Sequence, residues 1–318
     1  MRWEDSLARL LVLTRFPADY ESLLTSAELP DLEISYAATP EQAMELGQDF
    51  EIVLGEPALI RPVLMKLSGL RWVQSMYAGV EQLLDPSLRR DYILTNARGV
   101  FGELMSEYVI GYLLFHERRM LERLQAQKEH RWDRSTTGML RGKTIGLLGV
   151  GSIGAHLAGT AKRFRMTVHG YTRASEDCPD VDVYYHGSDL LEFAGTLDYL
   201  VSVLPTTAET RHIVDASLLE ALPSHALFIN IGRGSALDEP ALVEALTNGK
   251  IAAAILDVFH QEPLPAEHPF WDTPNLLMTF HTSAPSLPAD ITELFVENYH
   301  RYIHGDELLH RVDFERGY

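Results

Sequence analysis

The sequence predicts an α/β protein made of two Rossmann-like, doubly wound parallel-sheet domains, and three observations carry this prediction. The chain has 318 residues, which is long for a single hydrophobic core. Short apolar runs alternate with helical stretches, as in parallel sheets whose strands are joined by crossover helices. A glycine-rich turn, Gly149–Gly154, lies directly between one apolar run and one helical stretch.

The N-terminal part of the chain predicts a small parallel α/β unit. Residues 8–13, 51–55 and 70–76 are apolar runs of strand length. Residues 40–46 are typical of a helix, and Thr39 is a good N-cap for it. We therefore expect strands and helices to alternate in this part.

A helical pattern follows in the middle of the chain. Apolar side chains such as Val109 and Leu113 recur at helical spacing and predict one long helix over about residues 102–127. A C-terminal helix is predicted over about residues 291–303. Between these two helices we expect a second series of strands. These strands are 144–150, 166–171, 198–204, 226–231, 251–257 and 276–280.

Charge and cysteine content limit the partners and the compartment. Lys and Arg number 27 against 45 Asp and Glu, and this net charge of −18 argues against binding nucleic acid or anionic membranes. A small anionic substrate is compatible with it, because a few placed arginines make a local positive site. The single cysteine, Cys178, cannot form an intramolecular disulfide, and no apolar run approaches the ~20 residues that span a bilayer. Since Glu4 and Asp5 also interrupt any basic-then-apolar leader pattern, we expect a cytoplasmic protein.

The glycine-rich turn has G-x-G-x-x-G spacing between a strand and a helix, which is typical of dinucleotide binding. Gly149 would permit the tight turn, Gly151 the close approach of a pyrophosphate, and Gly154 the packing of the helix on the strand. Amides at the helix start, around Ser152 and Ile153, would bind the pyrophosphate. A tight turn without ligand and an S-adenosylmethionine site are the alternatives.

The end of the next strand predicts which dinucleotide is bound. An acidic residue there would bind the ribose 2′-hydroxyl of NAD. The strand instead ends in Thr172, Arg173 and Ser175, and the first acid, Glu176, comes late. Two hydroxyls and a guanidinium can hold a 2′-phosphate, so NADP(H) is favoured and NAD(H) is the second candidate. The alternative is that Arg173 is solvated or stacks on the adenine.

Three charged side chains follow the ends of later predicted strands. Arg233, Glu262 and His281 should converge beside the cofactor, because the carboxyl ends of the strands form the ligand crevice in open α/β sheets. Singly, each has an ordinary interpretation as a turn, loop or structural residue. No set of cysteine, histidine and acidic residues has metal-site spacing, so no metal is expected.

These motifs together resemble the D-isomer-specific 2-hydroxyacid dehydrogenase family, in particular its short glyoxylate/hydroxypyruvate reductase branch. The similarity covers most of the chain, and the set of motifs is much more specific than any one of them. The matching segments are 77–81, 149–154, 204–210, 230–234, 257–264 and 281–284.

The resemblance implies roles for the charged residues. Arg233 would bind the substrate carboxylate and polarise the 2-oxo group, for which its planar fork is suited. His281 would be the general acid during reduction and the base during oxidation. Glu262 would pair with His281 and raise its pKa. The activity implied is NAD(P)H-dependent reduction of small 2-oxo acids to D-2-hydroxy acids.

The resemblance also implies contacts from the strand-end loops. Backbone N–H groups around Tyr77, Ala78 and Gly79 would bind the substrate carboxylate. Tyr77 stands where many members have a smaller residue, so it bears on substrate choice. Asp257 would hydrogen-bond the nicotinamide carboxamide. The further cofactor contacts implied are Leu204, Pro205, Thr210, Ile231, Gly232 and Ser283.

The family organisation implies a substrate-binding domain of residues 1–97 plus 287–318, with a dinucleotide-binding domain of residues 98–286 inserted into it. It also implies a homodimer formed through the long helix near 102–127. Two rival functions belong to other classes: a non-catalytic dinucleotide-sensing protein of the same fold and a methyltransferase. The Arg, Glu and His in family order weigh against both.

Overall fold

The computed structural model describes residues 7–316, which form two compact units. The first unit contains residues 7–100 and 286–316, and the second contains residues 101–285. Glu4 and Asp5, and the outermost ends of the predicted substrate-binding domain, lie outside the described residues.

Twelve strands lie within the described residues. They are β1 Ala8–Leu13, β2 Leu32–Ala37, β3 Ile52–Gly55, β4 Trp72–Ser75, β5 Ile93–Thr95, β6 Thr144–Leu148, β7 Thr167–Tyr171, β8 Val183–Tyr185, β9 Tyr199–Ser202, β10 Leu227–Asn230, β11 Ala253–Leu256 and β12 Leu276–Met278. Ten α-helices lie in the same part of the chain. They are α1 Ala18–Ser26, α2 Pro40–Leu46, α3 Pro57–Ile60, α4 Gly102–Glu117, α5 Met120–Lys128, α6 Ser152–Arg163, α7 Leu190–Ala194, α8 Ala216–Ala221, α9 Glu239–Thr247 and α10 Pro288–His304.

The first unit is built on a parallel sheet of order β2-β1-β3-β4-β5. The strand order reverses between β1 and β3, and such a switch point leaves a crevice at the carboxyl edge of a sheet. The predicted helix 40–46 is confirmed as α2, and Thr39 Oγ1 accepts a hydrogen bond from Gln42 N at 3.3 Å. The C-terminal helix α10 closes this core, because Phe295 stacks on Trp72 with ring centroids 5.2 Å apart.

The second unit has a parallel sheet of order β12-β11-β10-β9-β6-β7-β8. Its first six strands in chain order follow the dinucleotide-binding order, with the switch point between β6 and β9. Strands β6, β9 and β10 are almost entirely buried, which accounts for their continuous apolar sequences. Both parallel sheets together confirm the predicted fold class.

The prediction of one long helix over about 102–127 is wrong. Helix α4 ends at Glu117, and α5 begins only at Met120, because Arg119 between them has a left-handed φ of +52°. The end of α4 is held by two contacts. Glu117 Oε1 accepts from the Tyr199 hydroxyl at 2.7 Å, and the Glu117 carbonyl accepts from Gly138 N at 2.9 Å. Apolar spacing continues across this break, so periodicity alone did not reveal it.

None of the helices in residues 7–316 combines the length and the hydrophobicity that a bilayer-spanning helix requires.

Candidate active site

The turn from Gly149 to Gly154 joins β6 to α6 at the carboxyl edge of the second sheet. Gly149 has φ +97°, a conformation that residues with a Cβ rarely adopt. A Cβ on Gly149 would lie 3.2 Å from Leu204 Cδ2, so the turn packs against the loop that follows β9 at the switch point. A Cβ on Gly154 would lie 2.3 Å from the Gly149 carbonyl oxygen. Only glycine therefore lets α6 approach the turn this closely.

The start of α6 has the properties of an anion site. The cap residue Gly151 has no side chain. The amides of the first helical turn, including those of Ser152 and Ile153, are therefore not capped by a side chain. The helical hydrogen bonding begins at Ala155 N, which donates to Gly151 O at 2.8 Å. A Cβ on Gly151 would meet no atom within 4 Å, so the space before the helix is open. These features fit a dinucleotide pyrophosphate.

The loop after β7 contains the residues predicted to choose the cofactor. Thr172 Oγ1 donates to Ser175 O at 2.7 Å, and Ser175 Oγ donates to Asp177 Oδ2 at 2.8 Å. Both hydroxyls thus shape the loop itself. Arg173 is exposed. The pKa of Glu209 is lowered by its own backbone amide, by Thr207 and by the charge of Arg173, which places Arg173 within electrostatic reach of the loop after β9.

His186 and Glu176 also hold this loop. The sequence did not predict that these two side chains form a pair. His186 Nδ1 lies 2.9 Å from the Thr172 carbonyl oxygen, and Nε2 lies 2.8 Å from Glu176 Oε1. The hydrogen bond to Glu176 raises the pKa of His186 above its ordinary value. His186 is at the end of a three-residue edge strand, so no sequence pattern placed it beside Thr172.

Arg233 follows β10 on a turn that only glycines allow. A Cβ on Gly232 would lie 2.7 Å from Leu204 N, and one on Gly234 would lie 1.9 Å from the Phe259 carbonyl carbon. The turn is therefore held between the loops after β9 and β11. Asn230, which was not among the predicted site residues, accepts from Gly232 N at 3.2 Å and donates from Nδ2 to Arg233 O at 3.0 Å. The side chain of Arg233 is half-buried.

His281 and Glu262 form the predicted pair. His281 Nδ1 lies 2.7 Å from Glu262 Oε2, and Glu262 Oε1 accepts from Phe259 N at 2.9 Å. The hydrogen bond to Glu262 raises the pKa of His281 above its ordinary value, while burial and the charge of Arg233 oppose this rise. Burial raises the pKa of Glu262, but hydrogen bonds from His281 and Phe259 N outweigh burial, and the net pKa is lowered. The His281 side chain is 57% exposed, so Nε2 is accessible to a reactant.

Asp257 organises the loop that carries His281. Its carboxylate accepts from Thr279 Oγ1 at 2.6 Å, Thr282 N at 2.8 Å and Ser283 N at 3.1 Å. Its carbonyl oxygen accepts from His281 N at 2.6 Å. These bonds hold His281 at a left-handed φ of +58°, which side chains with a Cβ disfavour. Tyr108 extends the network, since its hydroxyl lies 2.6 Å from Thr279 Oγ1.

Asp257 is 0% exposed, and its carboxylate accepts from three donors of the chain. The direct contact with the nicotinamide that was expected of this side chain stays a prediction. Within the chain, the hydrogen bonds of Asp257 hold the loop that carries His281.

The remaining predicted cofactor residues shape the same edge of the sheet. Thr210 Oγ1 donates to Pro205 O at 2.6 Å and so closes the loop after β9. Ile231 is 2% exposed and lies in the core beneath the Arg233 turn. Ser283 Oγ lies 3.3 Å from Met105 Sδ and is 6% exposed. Leu204 is half-buried and Pro205 exposed.

The predicted substrate loop, Tyr77–Gly79, lies in the first unit after β4. Tyr77 N donates to Ser75 Oγ at 3.0 Å, so this amide is already occupied, contrary to expectation. Asn96 Nδ2 donates to Ala78 O at 2.9 Å and fixes the loop. Among the described residues no acceptor lies against the amides of Ala78 and Gly79. The loop thus offers two free N–H groups to an anion.

No group of three or more His, Cys, Asp or Glu in residues 7–316 is placed to hold a metal ion.

A glycine turn before a helix, together with an acid–base pair and an arginine at the ends of neighbouring strands, defines the second unit as that of a dinucleotide-dependent oxidoreductase. Residues 110–283 match the family model described as the NAD binding domain of D-isomer specific 2-hydroxyacid dehydrogenases. The chain belongs to the D-isomer specific 2-hydroxyacid dehydrogenase family.

Solved structures of whole chains show the same similarity. A D-isomer specific 2-hydroxyacid dehydrogenase family protein of Aeromonas salmonicida is 45% identical, with a TM-score of 0.93 over 97% of this chain and 100% of that chain. An NADPH-dependent glyoxylate/hydroxypyruvate reductase of Sinorhizobium meliloti, in complex with NADP and sulfate, is 29% identical, with a TM-score of 0.86 over 98% and 100%. A D-isomer specific 2-hydroxyacid dehydrogenase of Xanthobacter autotrophicus, in complex with NADPH and MES, is 30% identical, with a TM-score of 0.85 over 98% and 100%.

Proposed function

We propose that this protein is an NADPH-dependent reductase of small 2-oxo acids, of the glyoxylate or hydroxypyruvate kind, which yields D-2-hydroxy acids. The observation that carries the proposal is the His281–Glu262 hydrogen bond of 2.7 Å, at the same sheet edge as Arg233 and the glycine turn. The relatives crystallised with NADP or NADPH support the cofactor. NADH is the second candidate cofactor.

Each residue has one part in the proposed reaction. When bound, the dinucleotide supplies the hydride for C2 of the substrate. Arg233 binds the substrate carboxylate and polarises the 2-oxo group, and His281 donates the proton that converts the developing alkoxide to the hydroxyl. Glu262 stabilises the imidazolium, because its hydrogen bond raises the pKa of His281. In the oxidative direction neutral His281 accepts the proton.

Binding and orientation fall to the surrounding loops. The amides at the start of α6 bind the pyrophosphate, and Arg173 binds the 2′-phosphate. Thr172 and Ser175 shape the loop that presents Arg173. The amides of Ala78 and Gly79 bind the substrate carboxylate. Residues 101–285 thus provide the dinucleotide-binding domain, and the unit that contains Tyr77 provides the substrate-binding domain.

We also propose that the protein is a cytoplasmic homodimer. Four large apolar side chains on and after α5 are exposed. They are Met120 (45%), Leu121 (59%), Leu124 (52%) and Trp132 (85%). A second copy covering this face would remove them from water. The single cysteine, which is not needed for a disulfide, supports the compartment.

The proposed function is tested with purified protein, NADPH or NADH, and a panel of glyoxylate, hydroxypyruvate and pyruvate. We expect NADPH to be consumed with at least one of them and the product to be the D-enantiomer where C2 is chiral. Tight dinucleotide binding without turnover of any 2-oxo acid would favour a sensor protein instead.

A further inference from the structure

The carboxyl edge of the first sheet has a polar cluster at its switch point. Arg15 follows β1, Glu56 follows β3 and Tyr77 follows β4, so the three residues flank the point where the strand order reverses. Ligands of open α/β sheets bind at such points. The functions assigned above use only the backbone of the last of these loops.

Glu56 is the fixed centre of this cluster. Its residue exposure is 4%, and its carboxylate accepts from Thr14 Oγ1 at 2.7 Å and from Arg15 N at 2.8 Å. Glu56 Oε2 lies 3.6 Å from Arg15 Nε. The Glu56 carboxylate is buried and already bonded to these partners, so it does not itself bind a ligand. It instead anchors Arg15, because it accepts from the Arg15 backbone N–H and lies near the Arg15 guanidinium.

Arg15 and Tyr77 are the accessible members. The Arg15 side chain is 65% exposed, although its partner Glu56 is 6% exposed. The guanidinium carries further N–H donors besides the Nε that lies near Glu56, and most of the side chain is in contact with solvent. Tyr77 is 40% exposed. Burial, the charge of Glu56 and a hydrogen bond to the Glu56 carboxylate raise the pKa of Tyr77 to about 12, so the hydroxyl stays protonated and donates its one hydrogen to Glu56.

Tyr77 connects this cluster to the substrate loop. It directly precedes Ala78 and Gly79, whose amides are without an acceptor among the described residues. The edge of the sheet therefore presents two groups of anion donors: the two backbone amides of this loop, and the exposed Arg15 guanidinium, whose charge acts on Tyr77. A substrate with anionic groups at both ends matches this arrangement.

We propose that the Arg15 guanidinium, anchored through Glu56 beside Tyr77, forms a distal subsite for the second carboxylate of a 2-oxo dicarboxylic acid. This inference rests on the proposed function. The reaction is unchanged: hydride adds to C2, His281 supplies the proton, and the distal carboxylate is not altered. The subsite selects among 2-oxo acids by their far end.

The experiment compares matched substrate pairs that differ only at the distal group. Oxaloacetate is paired with 2-oxobutanoate, and 2-oxoglutarate with 2-oxopentanoate, in which a methyl group replaces the distal carboxylate. For at least one pair we expect kcat/KM of the wild type to favour the diacid. Arg15→Met should lower this preference about 10- to 100-fold, mainly through KM, because a charged hydrogen-bond donor is lost. Arg15→Lys should retain part of the preference.

A matched control is Arg9→Met. Arg9 lies at the opposite end of β1 and is also paired with carboxylates, those of Glu33 and Asp49, so its loss should leave the diacid preference unchanged. Turnover of the methyl-ended substrates by the wild type with no preference for either diacid would overturn the subsite but not the proposed function. An unchanged diacid preference in Arg15→Met would also overturn the subsite, because the Arg15–Glu56 pair would then have a structural role only. No turnover of any 2-oxo acid would overturn the proposed function and the subsite with it.

Discussion

At the residue scale, the proposed chemistry depends on how Glu262 sets the proton affinity of His281. The protonated imidazole is the active form for reduction, and the hydrogen bond to Glu262 raises its pKa. Activity in reduction should therefore persist to a pH above the ordinary histidine pKa and fall only as pH rises through the raised value. In oxidation, the neutral imidazole is active and the sign is reversed.

Glu262→Gln removes the charge and keeps the size of the side chain. Because the pKa of His281 then returns toward its ordinary value, the pH at which reduction declines should move down. We expect kcat/KM for reduction at pH 7.5 to fall about 10- to 100-fold, a share of what general acid catalysis contributes. The check is a pH profile of kcat/KM, with Glu267→Gln in the same loop as a control. A mutant profile that superimposes on the wild type would contradict the assigned role of Glu262.

Arg173 is the residue on which cofactor choice depends. Arg173→Ala should raise KM for NADPH by about tenfold or more, because a charge-assisted contact to the 2′-phosphate is lost, and should change KM for NADH little. The control is Arg163→Ala, an exposed arginine at the other end of α6. Equal effects on NADPH and NADH would remove the phosphate-binding role.

The sequence predicted that Arg233, Glu262 and His281 share one edge of a sheet, because each follows a predicted strand and strand ends meet there. Their catalytic roles stay predictions. Asn230, Thr279 and the His186–Glu176 pair were missed because they support the strand-end loops through hydrogen bonds that follow no periodicity in the sequence. The burial of Asp257 was likewise invisible, since a carboxylate in a strand-end loop is ordinarily expected to face outward.

At the element scale, the close packing of α6 on the turn after β6 restricts which residues this unit accepts. Gly154→Ala would place a Cβ 2.3 Å from the Gly149 carbonyl oxygen, so α6 must move away from the turn. We expect the Kd for NADPH to rise more than about tenfold, equivalent to roughly 1.4 kcal/mol.

Fluorescence titration of NADPH and a thermal melt together check this prediction. Gly111→Ala in α4 is the control, because a Cβ there would meet no atom within 4 Å. Its binding should be unchanged. Wild-type affinity in Gly154→Ala would show that the turn does not position the pyrophosphate.

Central strands and edge strands differed in how well the sequence predicted them. The buried central strands have continuous apolar sequences and were predicted, whereas β2, β5 and β8 were not. All three lie at sheet edges, where strands are short or half-exposed and need fewer apolar residues. The break between α4 and α5 was missed for a different reason: it depends on contacts of Glu117 with residues distant in sequence.

At the scale of the whole molecule, the exposed apolar face of α5 predicts assembly. Leu121→Glu combined with Leu124→Glu should convert a dimer to a monomer, because two charges would be buried without partners in the interface. Sedimentation velocity measures the mass directly. Leu191→Glu, at a similarly exposed leucine on α7 (49%), should leave the dimer intact. A monomeric wild type would refute this interface.

The proposed dinucleotide-dependent reduction depends on Arg233, which binds the substrate carboxylate and polarises the 2-oxo group. The most direct test is to measure, in Arg233→Ala, both NADPH consumption with the best 2-oxo acid and the Kd for NADPH. We expect kcat/KM to fall by at least about three orders of magnitude, since substrate binding and polarisation are both lost, while the Kd for NADPH changes less than about threefold. Turnover near the wild-type rate in this variant would contradict the proposed role of Arg233 in binding and polarising the substrate.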